Sequence, residues 1–147
     1  MKLCDLNFAH SDLAVELHDN AFDEIWSAKA FLDLIELPAT FGFLCSVDDQ
    51  PAGFILCQGD GEEAEIITIA THGEFRRQGV AQALLDKAFE RTEVMFLEVA
   101  EDNLAARRLY EKNGFQTVGI RKKYYKRSSD TFIDALVLRK EKNKLLI

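Results

Sequence analysis

From Lys2 to Asn7 apolar and polar positions alternate, which predicts a short opening strand. The period then lengthens to that of a helix: Ser11 or Asp12 is a natural N-cap, and Leu13, Leu17 and Ala21 fall on one face after it. A second helix is expected from Ser27, where Trp26 before the cap and Phe31 four residues after it have the spacing of a hydrophobic staple. It must end before Pro38, because proline disfavours helical backbone in the residue ahead of it. Two apolar runs, Thr40 to Val47 and Ala52 to Gln58, flank the polar connection Asp48-Asp49-Gln50-Pro51 and predict an antiparallel pair.

Glu65 to Thr71 and Val94 to Val99 are rich in β-branched and apolar residues on both faces, as interior strands are. Between them, from about Gln78 to Arg91, residues Val80, Ala81, Leu84, Leu85 and Ala88 make one apolar helical stripe. A strand, a crossover helix and a strand place those two strands parallel in one sheet. A further helix is expected from Asn103 to Asn113, closed by Gly114, which accepts the left-handed backbone of a helix end. Closing strands follow near Gln116 to Lys122 and Phe132 to Arg139. The fold class is α/β with a mixed sheet.

Composition narrows the function classes. The 147 residues have a common single-domain length, and no linker, repeat or low-complexity segment divides them, so one domain over 1–147 is expected. Hydrophobic residues at 48% and charged residues at 29% are those of an ordinary folded soluble protein. A net charge of −7 argues against a nucleic-acid partner, which needs clustered Lys and Arg, and suits a cationic one better. No apolar run reaches the ~18 residues of a membrane span, and the opening residues lack the order of a secretory signal. A cytoplasmic location without a membrane partner is therefore expected. Cys4, Cys45 and Cys57 show no CxxC spacing and read as buried, inert thiols, with no metal site.

The candidate chemistry sits in two segments. Arg76-Arg77-Gln78-Gly79-Val80-Ala81 follows an interior strand and opens an amphipathic helix. Unsatisfied N–H groups at a helix start make an anion site, and a glycine lets the backbone approach the anion closely. The same residues also read as a surface turn with basic caps. In the second segment Glu98 lies near the carboxyl end of an interior strand, where sheets of this class open their ligand crevices. A partly desolvated carboxylate there suits a general base acting directly or through water; its other reading is a structural carboxylate. Asn103, Ala106 and Tyr110 stand at i, i+3 and i+7 and so share a face, although an isolated tyrosine at such a place is also an ordinary half-buried core aromatic. His72 reads as a solvated loop residue.

Taken in order, these residues resemble the GNAT superfamily of N-acetyltransferases. Arg76, Gly79 and Ala81 match its Gln/Arg-x-x-Gly-x-Gly/Ala signature, and Leu97-Glu98-Val99 with Asn103-x-x-Ala106-x-x-Leu109-Tyr110-Glu111-x-x-Gly114-Phe115 is similar to the second half of its pattern. The resemblance implies a mixed, mostly antiparallel sheet of about seven strands with about four helices. It implies acetyl-CoA as co-substrate and no metal. Main-chain groups of Ile69, Ala70 and Thr71 would pair with the pantetheine arm, Arg76 to Ala81 would hold the pyrophosphate, and Asn103 would hydrogen-bond the CoA arm. Glu98 would act as base and Tyr110 as acid in a direct transfer.

Within the superfamily the chain is most similar to enzymes that acetylate the N-terminal alanine of a ribosomal protein, which implies a peptide N-terminus as partner. Ile120-Arg121-Lys122-Lys123-Tyr124-Tyr125 resembles their Arg-x-x-Tyr-Tyr segment beside the acceptor site, without making either tyrosine catalytic. Phe22 and Trp26 resemble their helix-one exit, with Asp23, Glu24 and Ile25 altering the stretch between. A transferase for a small amine or a lysine side chain, and a non-catalytic acyl-CoA sensor, remain alternatives.

Overall fold

The computed structural model describes residues 1–21 and 27–142. Its elements are strand β1 (Lys2–Asp5), helix α1 (Ser11–Ala21), helix α2 (Ala28–Ile35), strands β2 (Thr40–Val47), β3 (Gln50–Gly59) and β4 (Glu63–Thr71), helix α3 (Val80–Phe89), strand β5 (Val94–Ala100), helix α4 (Leu104–Lys112), and strands β6 (Gln116–Lys126) and β7 (Phe132–Glu141). The expected order is reproduced element by element. The strands form one sheet in the order β1-β2-β3-β4-β5-β7-β6, in which only β4 and β5 pair parallel.

Local chemistry explains the boundaries. Ser27 caps α2 as expected, its hydroxyl accepting from the Ala30 N–H at 3.1 Å. Asp48 and Asp49 both take positive φ, 51° and 62°, so two residues close the β2–β3 hairpin and β3 starts at Gln50, earlier than the polar connection suggested. Tight hairpins of this kind need left-handed backbone at both central positions, which short polar side chains tolerate. Helix α3 begins at Val80 and not at Gln78, because Gly79 has φ 81° and cannot continue into a helical turn. Gly114, at φ 90°, ends α4 as the sequence indicated.

Two cores lie on opposite faces of the sheet. On one, α3 and the inward side of α4 cover Phe43, Ile55, Cys57, Met95, Leu97 and Leu138. On the other, α1 and α2 cover Leu44, Phe54 and Leu56. Alternation along β3 sends Phe54 and Leu56 to one core and Ile55 and Cys57 to the other. Helix α1 presents Ala14, Leu17 and His18 inward, with Leu13 half-buried; the Ala21 side chain and the Trp26 staple lie outside the described residues. Cys4 corrects the expectation of three buried thiols: it stands exposed on the edge strand β1, whereas Cys45 and Cys57 are buried in central strands. Among the described residues no helix is long and apolar enough to cross a membrane.

The sheet is not continuous across its middle. β4 and β5 are in register only for Glu63↔Val94, Ala64↔Met95 and Glu65↔Phe96. Beyond that, β5 stays paired with β7 along its whole length, while β4 stays paired with β3. The β3–β4 register shifts where Leu56 faces Thr68 and Cys57 faces Ile66, which leaves Ile67 as an extra residue on β4. Such a bulge bends the strand that carries it and increases its twist, and β4 parts from β5 at that point.

Gly53 on β3 permits the close approach that seats α3 beside the end of β4. A Cβ there would stand 2.6 Å from the Ala70 carbonyl oxygen and 2.9 Å from Val80 Cγ1. Gly53→Ala is therefore expected to cost about 1–3 kcal/mol through overpacking, read as a lower urea midpoint with an unchanged slope. A midpoint equal to wild type would mean that β4 and α3 yield freely.

Candidate active site

Where β4 and β5 diverge they enclose a cleft of about 520 Å³. One wall is β4 from Ile66 to Thr71, and the other is Leu97 to Ala100 of β5, with Asn103, Ala106, Leu109 and Tyr110 of α4 and its cap behind. His18 of α1, Arg76, Ala81 of α3, Tyr125 of β6 and Arg127 complete the lining. The edge of β4 that faces the cleft has lost its ladder partner past Glu65, so it presents main-chain donors and acceptors to whatever enters. Ile69, Ala70 and Thr71 stand on that wall.

The chain leaves β4 through His72, whose Nδ1 accepts from the Glu74 N–H at 3.1 Å and caps a short turn, Gly73–Phe75. Arg77 then takes φ 65° and Gly79 φ 81°. No side chain caps α3, and nothing lies within 4 Å of where a Cβ on Gly79 would stand. The first N–H groups of α3 therefore open on free space, with Arg76, Arg77 and Gln78 exposed beside them, which is the arrangement an anion needs. Gln78 spends its amide on the Glu74 carbonyl at 3.3 Å. Val80 is 1% exposed and packs in the core, so only its main chain is available to a ligand. Ala81, with Arg76, lines the cleft.

Glu98 and Tyr110 face the same cleft from β5 and α4. Glu98 is not the solitary carboxylate that a buried strand suggests. Arg121 of β6 reaches it across β7, with Nη1 at 3.0 Å from Oε1 and 3.3 Å from Oε2. Tyr110 is 8% exposed and stacks edge-on against Phe115 at 5.7 Å. Burial first, and the neighbouring Tyr125 second, push its pKa up to about 12, so at neutral pH it is a protonated phenol facing a cavity. Asn103 is the N-cap of α4, its Oδ1 accepting from the Ala106 N–H at 3.2 Å. The cap occupies the oxygen, and the amide nitrogen is the group left to donate into the cleft.

Two lining residues, His18 and Arg127, were not assigned from sequence, whereas Arg121 and Tyr125 belong to the segment whose resemblance implied a place beside the acceptor site. His18 follows from α1's inward face at 14, 17 and 18, a helical spacing that was there to be read. Arg121, Tyr125 and Arg127 depend on an irregularity in β6: Arg121 faces Ala135 but Tyr125 faces Ile133, so two extra residues bulge out, with Lys123 at φ 53°. The bulge is pinned by Asp134, whose Oδ1 accepts from the Lys123 N–H at 2.9 Å. It turns Tyr125 into the cleft and leaves Tyr124 exposed under the Arg121 guanidinium at 4.8 Å. Burial, and then Glu98, raise the Tyr125 pKa above that of a free phenol.

Residues 12–115 match the acetyltransferase (GNAT) family. A ribosomal protein bS18-alanine N-acetyltransferase of Escherichia coli strain K12 is 31% identical over 129 residues, covering 84% of each chain. The crystal structure of the ribosomal-protein-S18-alanine N-acetyltransferase from Escherichia coli superposes with a TM-score of 0.86 at 27% identity, over 95% of this chain and 92% of that one. Ard1 from Thermoplasma volcanium superposes at 0.79 and 25% identity, over 97% and 98%.

The burial of Tyr110 has a consequence for stability. Its folded pKa, about 12, lies above the reference value of about 10 for an unfolded tyrosine. Folding thus favours the protonated form, and the contribution is complete below about pH 10 and lost as pH rises to about 12. The expected loss is about 2–3 kcal/mol, measured as urea midpoints across that range. Tyr110→Phe should flatten that part of the profile; a variant that loses stability as steeply as wild type would show that another group carries it.

Proposed function

This chain belongs to the acetyltransferase (GNAT) family and is an acetyl-CoA-dependent N-acetyltransferase, and we propose that its acceptor is the N-terminal α-amine of a protein, with alanine first and a ribosomal protein as the natural substrate. The observation that carries this reading is that Glu98 and a protonated Tyr110 face one cleft from two elements, with the Tyr125 segment beside them. The bS18-alanine N-acetyltransferase, similar along most of both chains, supports the choice of acceptor. So does a net charge of −7, which suits a cationic partner.

The donor half of the cleft fits acetyl-CoA. The open β4 edge at Ile69, Ala70 and Thr71 offers main-chain groups to the pantetheine amides, as in strand addition. The uncapped start of α3, over Arg76, Arg77, Gln78, Gly79, Val80 and Ala81, receives the pyrophosphate in the space that Gly79 leaves free. The Asn103 amide donates to the arm between them. Acetyl-CoA supplies the acetyl group as a thioester, whose carbonyl carbon bonds to the amine nitrogen as the bond to sulfur breaks.

The α-amine has a reference pKa of about 7.7–8.0, so at neutral pH much of it is protonated and unable to attack. Glu98 takes the proton directly or through one water. Arg121 holds the carboxylate in place from the far side while this happens. Tyr110 gives its proton to the departing sulfur, a transfer that its burial favours by keeping the phenol protonated. Cys4, Cys45 and Cys57 are absent from the cleft lining, so the acetyl group passes directly from donor to acceptor.

The test is mass-spectrometric acetyl transfer to a panel of an N-terminal alanine peptide, an N-blocked lysine peptide and a polyamine. Rapid acetylation of the alanine peptide alone is expected. Glu98→Gln and Tyr110→Phe should each lower kcat by about 10²- to 10⁴-fold while acetyl-CoA still binds. Transfer only to lysine or polyamine would overturn the acceptor, and full activity in Glu98→Gln would overturn the base.

A further inference from the structure

The end of the β6–β7 hairpin is tied to the loop between β5 and α4 by one side-chain pair. Arg127, directly after β6, donates two parallel hydrogen bonds to Asp102, Nε to Oδ2 at 3.0 Å and Nη2 to Oδ1 at 2.7 Å. This fork fixes orientation as well as distance. Hydrogen bonding to Arg127 holds the Asp102 carboxyl below the ordinary carboxylate range. The loop that carries Asp102 joins the strand of Glu98 to the helix of Tyr110. Arg127 also lies 5.5 Å from the centroid of the Tyr125 ring, and both residues line the cleft.

Past the two-residue bulge Tyr125↔Ile133 and Lys126↔Phe132 remain in register, and the hairpin is closed by the Arg127 and Ser128 N–H groups donating to the Thr131 carbonyl at 2.9 and 3.3 Å. One main-chain bond, Glu101 N–H to the Asp134 carbonyl at 2.9 Å, joins the β5–α4 loop to strand β7. The ladder and closing bonds hold the hairpin to itself; the Arg127 fork is the side-chain tie from its β6 end to the loop of Asp102.

We infer that Arg127 and Asp102 form a latch that seats Tyr125 beside Glu98 and Tyr110, which makes them positioning residues for the acceptor amine and not for acetyl-CoA. The inference rests on the α-amine transferase reading above. Opening the latch frees the acceptor wall and leaves the β4 and α3 parts of the donor wall as they were, while Asn103, next to Asp102 on the same loop, is kept in place by its own cap bond from the Ala106 N–H. The acceptor's KM therefore rises and that of acetyl-CoA does not. Because the two residues act as a unit, removing either is equivalent to removing both.

A double-mutant cycle in the full chain tests this: Asp102→Ala, Arg127→Ala, the two combined, and the exchanged pair Asp102→Arg with Arg127→Asp, assayed with the amine that the panel identifies. The acceptor KM is expected to rise about five- to ten-fold in each single variant and no further in the combined one, with the acetyl-CoA KM within about two-fold throughout and partial recovery in the exchanged pair. Equal rises in both KM values, additive single effects or unchanged constants would each overturn the latch. Amide hydrogen exchange over residues 124–133 reads the latch without any acceptor: it should be faster in the single variants and slower again in the exchanged pair. Exchange equal to wild type in the single variants sinks the latch whatever the panel finds, whereas faster exchange with no acetylated α-amine supports the latch and overturns only the α-amine acceptor reading.

Discussion

Everything in the site depends on three residue pairs. β4 and β5 hold each other only from Glu63↔Val94 to Glu65↔Phe96, and past that point each strand keeps a neighbour on one side alone. A sheet interior normally cannot leave main-chain donors and acceptors unpaired, because dry polar groups are costly. Here the unpaired edge opens on a cleft, where water or a ligand satisfies it. The bulge at Ile67 creates the divergence, and the two opposed cores keep each half-sheet rigid while it diverges. The cleft is thus a property of the framework and not a depression left by loops.

The two groups that the proposed mechanism uses stand in opposite surroundings. Glu98 is given a positive neighbour, Arg121, and stays partly open to the cleft. Tyr110 is given none and is buried against Phe115, which disfavours its ionised form. On the proposed reading the first is the base and the second the acid, although both face the same space. Tyr125 stands between the two environments, raised by its own burial and by Glu98.

The sequence revealed the elements well because each rests on a local signal. Ser27 and Gly114 mark helix ends, EIITIAT and VMFLEV mark buried strands, and Val80, Leu84, Leu85 and Ala88 mark a packed helix face. The site was legible as two segments, but its assembly was not. The bulge at Ile67 interrupts no apolar run, so periodicity is blind to it. Arg121 meets Glu98 from 23 positions away, and Arg127 meets Asp102 from 25; pairs so distant leave no spacing to recognise. The exposure of Cys4 follows from β1 being an edge strand, a matter of sheet order that composition does not carry. The Asp48-Asp49 turn was read too long because its signal is backbone conformation and not a glycine.

The open edge of β4 has an evolutionary corollary. Groups presented by the main chain do not change when a side chain is replaced, so on the proposed reading Ile69, Ala70 and Thr71 can drift among residues of suitable size while the donor's amides still find the same N–H and C=O groups. Selection for donor use then acts on strand geometry and on Gly79, and hardly at all on residue identity along the strand. Descendants of such a protein would keep their donor long after that strand's letters had changed, whereas the wall proposed for the acceptor, lined by the side chains of Tyr125 and Arg127 and braced by Asp102, would carry a change of substrate in its letters.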